Sequence, residues 1–355
     1  MRSCWPESRV LASPLMRSCM RPSMRPLMRR LLASCSVSIV VLSVVSLAAA
    51  SSDDKLHFNP RFIPGETLRY RIETHTSSNG HTVTPIVNPQ GASRYEQSTS
   101  LILRLDALAV EPEAASSEGA VRFRATFELA TSDSLANGYA PQSAKLDDAV
   151  ENLKGKSFEF SVAPPDKLAD VQGLGKITPD RDVAARILSW IHVLFAPVEL
   201  PPGGIQIGQK WTSERTLTDL PLTGVVWRNE SRYLRDESCA ASSGIKAALS
   251  TRSMGDCAVL LTQFNIARRG SEHSDATPEA YIHNGLRTSG KWTGSGESLD
   301  SISLSRGLLV SSTQTATQDM DYEIRSASTN SRIRHTGRTT TQTEITLLEA
   351  TSPKS

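Results

Sequence analysis

From Gly65 onward, apolar and charged residues alternate one for one, and no other pattern in the chain restricts its choice of fold so tightly. Leu68, Tyr70 and Ile72 fall on one side of an extended strand, and Arg69, Arg71 and Glu73 on the other. The same alternation sets Leu101, Leu103, Leu105 and Ala107 against Arg104 and Asp106, then Phe123, Phe127 and Leu129 against Arg122, Arg124 and Glu128. Phe158, Phe160 and Val162 mark a further strand closed by Pro164-Pro165. Residues 77–91, with Asn79-Gly80, Pro85 and Pro89, are expected to form a long loop or irregular hairpin connection, and Asp147 to Leu153 a short helix. Later strands are expected around Val225 to Tyr233, Val259 to Ile266, Trp292, Leu299 to Val310 read as one strand, Tyr322 to Arg325, and the Thr-rich Thr339 to Leu348.

One long helical pattern interrupts the strands. Thr178 stands where an N-cap belongs, Pro179 at the first helical position, and Asp180 and Asp182 beside the positive helix end. Val183, Ile187, Trp190, Ile191, Leu194 and Phe195 recur at helical spacing until Pro197. The later turns are apolar around more than one stripe. Trp190, Leu194 and Phe195 are therefore the expected wall of a groove for an apolar or amphiphilic ligand; the competing expectation is that they plug a shared core.

These patterns predict a mostly β fold, two related curved antiparallel sheets or half-barrels joined by one amphipathic helix. Residues 51–176 form the first β unit, 177–203 the connecting helix with its Pro/Gly turn, and 204–355 the second β unit with extra C-terminal strands. Glycine intervals suggest duplication. Gly65 to Gly119 spans 54 residues and Gly208 to Gly255 47; Gly119 to Gly155 spans 36 and Gly255 to Gly290 35; Gly155 to Gly173 spans 18 and Gly290 to Gly307 17. Gly155-Lys156 and Gly290-Lys291 each precede an aromatic residue, as repeated supersecondary units would require.

Residues 1–50 have the layout of a secretory signal: Arg29 and Arg30, the apolar run Val37 to Leu47, and Ala48-Ala49-Ala50 before Ser51. Met28 would serve as a start that leaves a signal of ordinary length. Leu32-Ala33-Ser34-Cys35 resembles a lipid-attachment box but precedes the apolar run, so no lipid is expected. Without these residues the chain holds 32 basic and 36 acidic groups. Nothing in that balance favours nucleic acid or an anionic membrane as partner. The apolar run is too short for a membrane span.

Of five cysteines, Cys239 and Cys257 lie outside the leader. In an exported chain, lacking C-x-x-C spacing and a nearby histidine cluster, they are expected to form a disulfide.

The segment Ile205-Gln206-Ile207-Gly208-Gln209-Lys210-Trp211, following a helix and the earlier Gly65-Glu66-Thr67-Leu68 strand, resembles a family of exported bacterial β-rich envelope proteins defined by a domain rather than an activity. The resemblance covers most of Gly65 to Glu349. It implies an envelope or secreted protein and supplies no catalytic residues.

The motifs that could carry chemistry are weak. Ser243-Gly244-Ile245-Lys246 matches S-x-x-K but lacks the companion motifs. His75 with His81, and His273 with His283, lack metal-ligand spacing, and Asp319 with Asp321 supply two ligands where calcium needs six to eight. No catalytic residue, metal or cofactor is assigned. The expected function is a periplasmic or secreted binding protein for an apolar or amphiphilic molecule or an envelope protein; the alternatives are a secreted hydrolase or a structural envelope component.

Overall fold

The computed structural model describes residues 55–351 apart from 59, 85–90, 109–119, 138–142, 164–166, 219, 240–253, 327 and 330. The leader, Gly119 and the S-x-x-K segment lie outside the described residues. The strands are β1 (Thr67–Val83), β2 (Gly91–Ala107), β3 (Val121–Asn137), β4 (Ser157–Ala163), β5 (Lys167–Gln172), β6 (Lys210–Leu217), β7 (Val225–Ser238), β8 (Asp256–Arg268), β9 (Leu286–Ser303), β10 (Leu309–Ser326) and β11 (Arg332–Thr351). Helices are α1 (Ser143–Glu151), α2 (Leu174–Ile177), α3 (Arg181–Phe195) and α4 (Glu279–His283).

All the strands join one sheet in the order β5-β4-β3-β2-β1-β11-β10-β9-β8-β7-β6, antiparallel throughout. The chain builds outward from β1 to the β5 edge. It then crosses through α2 and α3 to the β6 edge and works back inward to β11. The expectation of two sheets is corrected here. β1 pairs with β2 on one side and with the Thr-rich β11 along its whole length on the other, so no sheet boundary remains.

Four local expectations change for identifiable reasons. Asn79-Gly80 makes no turn, because both its neighbours are strands: Gly80 lies opposite Ser93 and Gly337 in two ladders. Leu299 to Val310 is a hairpin, with β9 ending at Ser303 and Gly307 taking a φ of 65° in the turn. On β3 the register shifts so that Ile102 faces Leu129 but Leu103 faces Phe127. Glu128 is the extra residue of that bulge, and it reverses the alternation, so Ala130 rather than Leu129 is buried. Thr178 is the C-cap of α2; the N-cap of α3 is Asp180, whose Oδ1 accepts the Val183 N–H at 3.2 Å.

One face of the sheet carries the core. Leu68, Tyr70, Ile72, Leu101, Leu103, Leu105, Phe123 and Phe127 meet Val183, Ile187, Ile191, Leu194 and Phe195 of α3, and Leu260, Ile302, Leu309, Ile345 and Leu347 from the other strands join the same cluster. A second cluster holds Leu222, Val225, Phe264, Ile266, Trp292 and Ala316. There Gly296 is required: a Cβ would lie 2.3 Å from the Phe264 ring and 2.1 Å from the Thr315 carbonyl oxygen. The opposite face is wet and laced with ion pairs. Arg69 reaches Glu128 at 2.7 Å and Glu349 at 3.2 Å, Arg338 reaches Asp319 at 2.7 Å, and Arg334 reaches Asp321 at 2.8 Å.

Cys239 and Cys257 form a disulfide, with Cα atoms 4.9 Å apart. Among the described residues no helix is long and apolar enough to cross a membrane.

Candidate functional site

A groove of about 830 Å³ crosses the sheet near its middle. Cross-strand pairing assembles it from residues far apart in sequence. Thr131, Ser100, Glu73, Glu344 and Thr313 form one row, from β3 through β2, β1 and β11 to β10. Asp133, Ser98, His75, Gln342 and Thr315 form the parallel row. Alternation puts both rows on the wet face, the side of Arg69 and Arg71. Between them run the backbones of the intervening residues, Thr74 and Thr343 among them, and Glu151 at the end of α1 closes the β3 side.

The chemistry of the lining is narrow. Among the described residues that line it, none has an apolar side chain and none is Lys or Arg. Some acids of this face are neutralised, as where Arg124 and Arg122 hold the Glu159 carboxyl below its usual range. Among the described residues Glu73, Asp133, Glu151 and Glu344 have no ion-pair partner. Glu73 and Glu344 also face each other directly across the β1–β11 ladder, where like charges destabilise.

His75 Nδ1 lies 3.1 Å from Ser98 Oγ. A nucleophile and base at that distance invite comparison with a hydrolase, but the surroundings differ. Both side chains are exposed, and among the described residues no carboxylate binds the other imidazole nitrogen. The neighbouring N–H groups belong to strands flanked on both sides, which leaves no preorganised pair for an oxyanion.

Trp190, Leu194 and Phe195 stand elsewhere. Leu194 is 2% and Phe195 5% exposed, both within the core, and Trp190 is half-buried against it. The Phe195 ring packs 5.4 Å from Phe62, 5.2 Å from Phe123 and 5.8 Å from Phe160. The three residues line neither the groove nor a second hollow of about 540 Å³ on β6, β7 and β8. Phe62, from the lead-in before β1, packs edge-on against both Phe123 and Phe195.

A polar network pins α1 to the core side of β2 and β3, behind the groove rows. Asp147 accepts hydrogen bonds from Ser132, Ser134 and Gln97, the last at 3.0 Å; these outweigh the opposing effect of burial and hold its carboxyl below the usual range. Sequence reasoning missed the groove entirely. Its residues become neighbours only through pairing, and of its carboxylates Glu73 alone was legible as a wet-face position.

No family model matches the chain, and no curated protein does either. Among solved structures, one of lipovitellin concerned with lipid–protein interactions is similar to 83% of this chain and 26% of that chain, at 13% identity and a TM-score of 0.44. This chain thus spans about a quarter of the lipovitellin chain, and a likeness this loose carries no functional argument.

Proposed function

We propose that the protein is an exported, non-catalytic binding protein of the cell envelope, periplasmic or secreted, whose ligand lies in the groove across the wet face. The observation that carries this reading is the groove itself, about 830 Å³ lined by hydroxyl, amide and carboxylate side chains drawn from five neighbouring strands. The apolar face is filled by the chain's own aromatic residues, so the groove offers itself to the polar part of an amphiphile or to an extended segment of a partner. The signal-like leader supports export, as does the disulfide, since such bonds persist outside reducing compartments. The resemblance to exported envelope proteins points the same way.

The test is mass spectrometry of native protein recovered from its envelope, compared with Thr315→Trp and Ser98→Trp, which fill the groove from two strands. A bound molecule or partner on the native protein, reduced at least tenfold in both folded variants, is expected. Equal recovery from native and filled protein would overturn the assignment.

The finer architecture belongs to the same reading: β1 to β5 and β6 to β10 derive from one duplicated unit. Both runs progress in the same lateral direction, and each inserts a helix between its third and fourth strands. Gly155 immediately precedes β4 and Gly290 lies within β9, the fourth strand of each run. A superposition in which β1 to β4 miss β6 to β9 by a full strand would refute it.

A further inference from the structure

We infer that the groove selects uncharged, polyhydroxylated ligands of the saccharide class and rejects anions; this rests on the groove being the binding site. In its two rows six hydroxyl or amide side chains stand with three carboxylates, Glu73, Glu344 and Asp133, and one imidazole. Ser, Thr and Gln both donate and accept, and a carboxylate accepts from a neutral hydroxyl in a charge-assisted bond stronger than one between neutral groups. A sugar hydroxyl, itself donor and acceptor, matches all of them.

The absence of Lys and Arg from the lining turns this into selectivity. A sulfate or phosphate would meet Glu73 and Glu344, already opposed to each other, with no Lys or Arg among the described lining residues to offset them. Hydroxyl donors placed between those two carboxylates would relieve the repulsion. A cation would engage the oxygen atoms but leave the hydroxyl and amide hydrogens without an acceptor, whereas a sugar hydroxyl uses both. Five strands at their usual spacing give a length of roughly 19 Å, which suits an extended chain of several sugar units.

Calorimetry on the full chain, using an array of neutral oligosaccharides, their sulfated counterparts and spermine, tests the assignment. A neutral oligosaccharide should bind, its sulfated form should bind at least tenfold more weakly, and Thr315→Trp should abolish binding without lowering Tm. Glu344→Gln keeps a hydrogen-bonding group but removes a charge, and should cut the sulfate penalty to threefold or less. Ser98→Trp replaces Thr315→Trp if that variant does not fold. Sulfated and neutral forms binding equally, spermine binding in place of sugar, or no oligosaccharide binding would each overturn the saccharide class. If envelope-derived ligand is still lost on filling the groove, only the class fails; if it is retained, the groove fails as well.

Discussion

Asp300 is 2% exposed and lies among serines rather than cations. Burial pushes its carboxyl up from 3.8 to about 6, with hydrogen bonds from Ser312 and Ser298 offsetting part of the cost. The folded protein therefore prefers the protonated acid. The stability linked to this preference is full below about pH 4, falls as pH rises through about 6, and is constant beyond. Asp300→Asn should accordingly raise stability by about 2 kcal/mol near pH 7.5 and change it little near pH 4. Thermal melts at the two pH values check this, and equal shifts would count against it. In sequence, Asp300 looks like one more acid in a polar stretch. Its burial follows from the strands packed on either side, whereas Leu68, Tyr70 and Ile72 could be assigned inward from their own alternation. Glu66 shows the same limit: it is 1% exposed and held by Arg306, a partner 240 positions away.

Among the elements, α3 was the clearest in sequence and the least well understood. Its apolar residues and its end before Pro197 were legible, but the residues it packs against were not. Phe62, in a stretch without periodicity, completes a triad of touching rings with Phe123 and Phe195, and the aromatic end becomes core. The pairing of Cys239 with Cys257 follows from compartment and count, and the fold places the two at the neighbouring ends of β7 and β8. Replacing both by serine should cost about 3 kcal/mol, given the separation of 18 residues. A denaturant titration under non-reducing conditions measures the difference. Two free thiols on alkylation of exported protein would remove its basis. The β9–β10 hairpin is masked in sequence because Leu304, Leu308 and Leu309 flank a short turn, Ser305-Arg306-Gly307, with apolar residues.

At the scale of the molecule, the abundance of strands was legible and the closure of the sheet was not. Alternation says which face of a strand is wet but nothing about which strand lies beside it, and the seam between the halves depends on the last strand finding the first. Residues 51–203 alone should therefore fail to give a cooperative thermal transition, since β1 would lose its ladder to β11 and the contacts of Ile345 and Leu347. A sharp melt from that fragment would show that the first run is self-sufficient. Thr67 and Thr351 meet across 284 positions, so the middle of the sheet is joined by the two ends of the described chain. A polypeptide made from its amino end carries β1 with one bare edge until β11 has emerged. The centre is thus the last place to close, and loop closure over such a distance slows it further. Whatever shields that edge in the meantime, a chaperone or the machinery of translocation, has a longer task here than in a sheet whose neighbours are made in succession.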